Sequence, residues 1–367
     1  MNILWFTTRS MSDLCATTVD ALGNGLVSLG HNVTLVNPDV KGSHSEFEWK
    51  HVAIPIQAIR GRKGYTLGKK MRMWLTHLTP EKKTVAIVDW RIASALSSTL
   101  QAKSIPWILL DRSPPADRGI LARLQWPVWK KAWNLVKSSS ANAGCVVSIT
   151  HAKFVHSKIG IQTNKLVQLP AGVDVELFRP GIRNEILTLI YHGRLDKNRG
   201  VLSLPMLQQK LEQQDVQTKL ILIGEGDASI GLDRISKEKK QVEVHASLPQ
   251  EELAKILATA HIGLLPMPKT EVWSLASPLK RSEYSACGLL IFGIDHLGHR
   301  FNHDVQPDWI QLVPQEDFHI DGTKWIKALD EEKILTLSHE SRLYATEHLR
   351  WSTSVETLEK ACLSCLN

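Results

Sequence analysis

Ser277-Pro278-Leu279-Lys280-Arg281-Ser282-Glu283-Tyr284-Ser285-Ala286-Cys287-Gly288 is the stretch from which the rest of the chain can be read. Its start carries helix signals in register. Ser277 can cap free backbone N–H groups, and Pro278 suits the first helical position, where its missing donor costs nothing. Gly288 fits the left-handed cap at the far end, and Leu289-Leu290-Ile291-Phe292 reads on as a buried strand. So short a helix leaves a positive end with unpaired N–H groups, a ready anion site. Lys280 and Glu283 stand three apart and share a face. A phosphate at the tip and a carboxylate one turn along, taking ribose hydroxyls, would suit a nucleotide diphosphate. The same residues also describe an ordinary capped helix with a surface ion pair, and this stretch alone does not choose between the two.

Working upstream, strand and helix patterns alternate. Leu187–Tyr191 is a strand that runs into His192-Gly193-Arg194-Leu195-Asp196-Lys197-Asn198-Arg199-Gly200. Leu204–Leu211 is a helix, Lys219–Ile223 a strand ending in Gly224-Glu225-Gly226-Asp227, and Val242–His245 and Ile262–Pro266 are further strands around a helix at Gln250–Ala260. Arg194 and Arg199 lie in a strand-to-helix loop between Gly193 and Gly200. Two guanidinium groups beside flexible backbone suit a diphosphate, but taken alone they read as two solvated arginines.

The first half repeats the alternation. Residues 2–6 read as a buried strand, a polar loop follows at Thr7–Ser12, and Val19, Leu22, Leu26 and Leu29 recur at helical spacing up to Gly30. This opening predicts a doubly wound α/β sheet with its ligand crevice at the carboxyl ends of the strands. No G-x-G-x-x-G follows the first strand, which disfavours NAD chemistry. The strand at Pro106–Leu110 delivers Asp111-Arg112 to a carboxyl-end loop, where reacting groups belong. Pro180-Gly181 is the sharpest break, and the domain boundary is placed there.

At 367 residues the chain predicts two domains of roughly 180 residues each. Hydrophobic content of 43% with 22% charged residues is that of a globular enzyme, and no apolar run approaches the ~18 residues needed to span a bilayer. The N-terminus enters a strand directly and does not read as a signal peptide. Cys362-x-x-Cys365 has no second pair or nearby histidines to make a zinc site, and reduced thiols in a cytoplasmic protein are expected. A net charge of +7 admits nucleic acid, an anionic membrane or phosphorylated substrates, but no RNA or DNA motif occurs. Residues 59–83 concentrate that charge in Arg60, Arg62, Lys63, Lys69, Lys70, Arg72, Lys82 and Lys83, with Tyr65 and Trp74 interleaved. Trp126, Trp129 and Trp133 share a helical stripe flanked by Lys130, Lys131 and Lys137. Either the stripe is an interfacial membrane contact or it is the core face of its helix.

Taken together these pieces resemble the retaining GT-B glycosyltransferases, the group 1 set that includes bacterial phosphatidylinositol mannosyltransferases and sucrose synthases. Gly193-Arg194-Leu195-x-x-x-Arg199-Gly200 is similar to their GRL-x-x-x-KG element. Pro170-Ala171-Gly172-Val173-Asp174-x-x-x-Phe178-x-Pro180 resembles their PNGVD-x-x-x-F-x-P linker, and Leu222-Ile223-Gly224-Glu225-Gly226 their IGxG turn. The Ser277–Gly288 stretch resembles the SPLK-x-x-EYMA-x-G form of the donor motif, and Leu26-x-x-Leu29-Gly30-His31-x-Val33 their first-domain L-x-x-x-GH-x-V. The order and spacing of these elements carry the resemblance.

The resemblance implies two Rossmann-like domains facing across a cleft: an acceptor domain at 1–182, a nucleotide-sugar domain at 183–350, and a final helix at 351–367 crossing back. It implies that Arg194 and Arg199 grip the diphosphate of a UDP- or GDP-linked sugar, with Gly224, Ser277, Leu279 and Lys280 around it and Glu283 on the ribose. Only Leu279 and Lys280 can donate backbone N–H groups, since Pro278 has none. It implies retention by front-face attack, with no metal and no further cofactor. Where the set often has a glutamate eight residues before Glu283 this chain has Leu275, and Glu271 is the nearest carboxylate. Arg9 stands in for the glycine-rich first loop. Asp111 or Arg112 replaces a first-domain histidine, and Asp111 would be either the acceptor's proton acceptor or part of a structural pair. The expected partners are the donor and a glycan or lipid-linked acceptor at the inner face of a membrane, with an anionic membrane contact and no nucleic acid. A sugar-nucleotide epimerase and a catalytically inactive nucleotide-binding relative are the competing readings.

Overall fold

The computed structural model describes residues 1–12, 16–40, 48–57, 62–115, 123–301 and 305–366. Arg60 of the basic stretch lies outside them. The chain divides into two compact units, Met1–Pro170 with Trp351–Asn367, and Ala171–Arg350.

The first unit holds a seven-stranded parallel sheet of β1 (Asn2–Phe6), β2 (Asn32–Asn37), β3 (Lys50–Ala53), β4 (Thr84–Asp89), β5 (Trp107–Leu110), β6 (Ala143–Val146) and β7 (Leu166–Gln168). Their order is β3-β2-β1-β4-β5-β6-β7, so the winding reverses between β1 and β4. Every residue of β4 is buried, as a parallel strand covered on both faces requires. Asp89 then turns the chain into the helix Trp90–Ala102, its carboxylate accepting the Arg91 N–H at 2.9 Å. On one face Ile3, Trp5, Val85, Ile87 and Ile108 pack with Val19, Leu22 and Leu26 of the helix Thr17–Ser28 and with Val355, Leu358 and Cys362 of the last helix, Trp351–Ser364.

The second unit repeats the design with β8 (Leu187–His192), β9 (Thr218–Ile223), β10 (Val242–His245), β11 (Ile262–Leu265), β12 (Leu290–Ile294) and β13 (Ile310–Val313). The order is β10-β9-β8-β11-β12-β13, all parallel, with the reversal between β8 and β11. The loops leaving β8 and β11 therefore border a switch-point crevice, the place where open α/β sheets bind ligands.

Pro180-Gly181 does not separate the units. Val173, Val175 and Phe178 belong to the second unit's core, and Arg342 donates to the carbonyls of Val175 (2.9 Å) and Phe178 (2.8 Å). Residues 171–182 thus go with the second unit, because their apolar side chains are buried there. The basic stretch contains the helix Lys63–His77, on which Tyr65, Lys69, Arg72 and Met73 are exposed.

Candidate functional site

The donor-motif helix spans Leu279–Ala286, with Pro278 as its extended N-cap. Ser277 does not cap it. Its hydroxyl accepts the Ala171 N–H at 3.1 Å instead, and Ser282 returns a bond to the Ala171 carbonyl at 3.3 Å. Gly288 does take the left-handed conformation, at φ 66°. The exit end of the helix is held by two arginines. Arg342 donates to the Ala286 carbonyl at 2.7 Å, and Arg183 to those of Cys287 at 2.9 Å and Gly288 at 2.8 Å. Guanidinium charge at the negative end complements the helix dipole.

Around the other end two glycine loops converge on the first turn of the helix. Gly224, at φ 140°, lies so close to Gly193 that a Cβ there would sit 1.8 Å from the Gly193 carbonyl oxygen. A Cβ on Gly193, in turn, would stand 2.9 Å from the Lys280 Nζ. That ammonium also lies 5.3 Å over the Tyr191 ring. The structure thus brings Lys280 and Gly224 together at the carboxyl ends of β8 and β9, with Leu279 half-buried on the first turn of the helix.

The two arginines of the glycine loop are already engaged. Arg194, half exposed, forks onto Asp196 with Nε at 3.1 Å and Nη2 at 2.9 Å. Burial alone would raise the Asp196 carboxyl, yet the Arg194 hydrogen bonds and charge hold it below the usual range, and Asp196 in turn raises Arg194. Arg199 stands 3.6 Å from Asp196, 3.6 Å from the Met267 sulfur and 5.9 Å over the Trp273 ring. Glu271 is exposed at the start of the short helix Glu271–Ser274, two residues from that tryptophan, and Leu275 is buried.

Glu283 is 4% exposed, and its Oε2 lies 3.1 Å from Nε2 of His192, the last residue of β8. Sequence reading did not single out His192. The available signal was its place at the carboxyl end of a switch-point strand, immediately before Gly193.

Of the first-unit candidates, Asp111 is fully buried. Its Oδ2 accepts the indole N–H groups of Trp129 (2.6 Å) and Trp133 (2.9 Å) and lies 3.3 Å from His151 Nε2. Burial would raise this carboxyl, but His151 and the two indoles hold it below its ordinary value. With no surface exposed through which an acceptor hydroxyl could meet it, the carboxylate has the geometry of a structural anchor for the two indoles. Arg112 donates to the Leu169 carbonyl at 2.6 Å, tying the loop after β5 to the end of β7. Arg9 is half-buried, its N–H on the Thr7 hydroxyl at 3.1 Å. The membrane reading of the tryptophan stripe is corrected too: Trp129 and Trp133 are core residues, and half-buried Trp126 packs on Trp129 and Phe154.

Among the described residues no helix is long and apolar enough to cross a membrane, and no group of three or more His, Cys, Asp or Glu is placed to hold a metal ion.

Residues 15–177 match the model of Glycosyltransferase Family 4, and residues 187–319 that of Glycosyl transferases group 1. A comparison with curated proteins finds no significant match. Among solved structures, sucrose-phosphate synthase from Thermosynechococcus elongatus superposes with a TM-score of 0.78 at 15% identity, covering 98% of this chain and 97% of its own. HepE of Anabaena, in complex with UDP and glucose, gives 0.73 at 11% identity over 99% of both chains. WaaG, a glycosyltransferase involved in lipopolysaccharide biosynthesis, gives 0.72 at 11% identity over 98% of both.

Proposed function

The chain belongs to the GT-B glycosyltransferases of group 1, and from that membership we propose that it transfers a sugar from a nucleoside-diphosphate-sugar to an acceptor hydroxyl with retention of configuration. The convergence of Lys280, Gly193 and Gly224, with Glu283 one turn along the helix, carries this reading. An ammonium beside two glycines gives a diphosphate both charge and close backbone approach, and it would offset the charge that develops as the diphosphate leaves. Glu283 takes the ribose hydroxyls. Arg199 supplies the second cation, flanked by Trp273. Arg194 contributes least, because Asp196 already holds it. No metal is needed for such a departure when fixed cations supply the charge.

UDP, as found with HepE, or GDP is the proposed nucleotide. For the acceptor we propose a lipid-linked glycan at the inner face of a membrane. The support is the exposed stripe of Arg62, Tyr65, Lys69, Arg72 and Met73 along the helix Lys63–His77, a basic face with apolar members suited to anionic lipid.

A thermal-shift panel of UDP, GDP, ADP and their sugars, on wild type beside Lys280→Met and Glu283→Ala, tests the donor site. One nucleotide should raise the wild-type midpoint, by roughly 2.7 kcal/mol at a hundredfold excess over its dissociation constant, and each folded variant should respond by about half of that or less. No response from folded wild type would sink the reading. A second reading, an inactive nucleotide-binding relative, draws on the enclosed Asp111 and on Leu275 where a carboxylate often stands. It predicts binding without donor turnover for any acceptor.

A further inference from the structure

His192 and Glu283 form a buried pair that none of the sequence motifs accounts for. His192 is 8% exposed and Glu283 4%. Neither His192 Nε2 nor Glu283 Oε2 makes a hydrogen bond among the described residues, and the two atoms approach each other to 3.1 Å. Other groups keep the imidazole from swinging away. Its ring meets Tyr284 edge-on, with centroids 5.3 Å apart at 87°, and its backbone N–H points at the Tyr284 hydroxyl at 3.4 Å. Tyr284 is itself locked, since a Cβ on Gly263 would come within 2.2 Å of its ring. A buried carboxylate on an otherwise unconstrained side chain would turn among several rotamers. One oxygen held beside an imidazole leaves the other with a narrower range of directions.

We infer that His192 is a positioning residue for the donor. Its Nε2 stands 3.1 Å from Glu283 Oε2 without an aligned hydrogen bond, and when nucleotide binds its N–H comes onto that oxygen and so fixes Glu283 Oε1 to accept the ribose hydroxyls of a nucleoside diphosphate. The inference rests on the donor reading above and extends it to a residue ninety-one positions from the carboxylate it serves. His192 touches neither the diphosphate nor the sugar, so its effect falls on affinity and on ribose recognition, not on the chemical step.

The test is calorimetric titration of UDP, GDP and ADP into wild type, His192→Leu and His192→Gln, followed by the 2′,3′-dideoxy form of whichever nucleotide binds. His192→Leu should weaken the ribonucleotide about tenfold, with the glutamate left without its donor, and should leave the dideoxy analogue nearly unchanged. His192→Gln, which keeps an N–H within reach, should recover most of the loss. With an active donor, KM should rise in His192→Leu while kcat stays within about twofold. Equal binding of the ribonucleotide by wild type and His192→Leu overturns the inference while leaving the donor site intact. An equal loss for both analogues also overturns it, because it marks a general packing defect. Wild type that binds no nucleotide overturns the donor reading itself.

Discussion

At the scale of single residues, the site separates a cation that lies against the glycine loops from one held by a neighbouring carboxylate. Arg194 is matched by Asp196 through two hydrogen bonds, whereas Lys280 meets Gly193, on which Gly224 packs. Lys280→Met should therefore weaken nucleoside-diphosphate binding roughly ten- to a hundredfold, the range of a lost charge-assisted bond, and Arg194→Met less than about fivefold. Titration of both variants with the same nucleotide checks the order, and a larger loss at Arg194 would reverse the assignment. Asp111 makes a different kind of prediction. Its folded carboxyl lies below its ordinary value, so its contribution to stability is complete above about pH 4 and is lost as pH falls through the lower folded value. Asp111→Asn should cost about 2–4 kcal/mol at pH 7, since two indole donors and His151 lose their anion, and the gap from wild type should narrow below about pH 4. Urea midpoints at pH 7 and pH 3 measure both.

At the scale of elements, the donor helix shows how much the sequence could disclose. Its length, the left-handed Gly288 and the buried strand after it follow from local chemistry. The strand–helix alternation of both units was legible for the same reason, since fully covered parallel strands read as apolar runs. What escaped the sequence depends on residues far apart in the chain. Ser277 has the chemistry of a cap, but Ala171 competes for its hydroxyl and wins. Trp129 and Trp133 could face lipid or core, and it is the Asp111 carboxylate, from another element, that gives their N–H groups a buried partner. His192 became visible only when β8 was laid beside the donor helix. Arg183 belongs with these. It carries no motif, yet it donates to Ala258 (3.2 Å), Cys287, Gly288 and the Ser338 hydroxyl (3.0 Å), as well as to Ala260. Arg183→Met should destabilise the protein by about 3–5 kcal/mol, the cost of leaving several buried carbonyls unpaired. It should also speed amide exchange in 279–288 ahead of the first unit. Unchanged exchange there would show that the arginine does not hold the helix.

At the scale of the whole molecule, the second unit is one continuous run of chain, whereas the first is made from both ends. The first unit's core depends on that late contribution. Val355, Leu358 and Cys362 complete it, Gly25 lets Val355 come close enough that a Cβ would sit 2.4 Å from it, and His31 pairs with Glu359 at 2.7 Å. Truncation after Arg350 should therefore bare the apolar face of the helix Thr17–Ser28 and give insoluble protein, while residues 171–350 expressed alone should melt cooperatively; circular dichroism of the two fragments decides. The ends of the second unit also meet, as Val173 bridges Arg350 and its N–H reaches the Leu349 carbonyl at 2.8 Å. The arrangement sets an order of events on the ribosome. Chains usually fold from the N-terminus, but here the first 170 residues must wait for the last seventeen. At ordinary synthesis rates that wait is roughly 10–40 s. During it the second unit can finish while the nascent first unit stays open to chaperones, so the domain begun first is completed last.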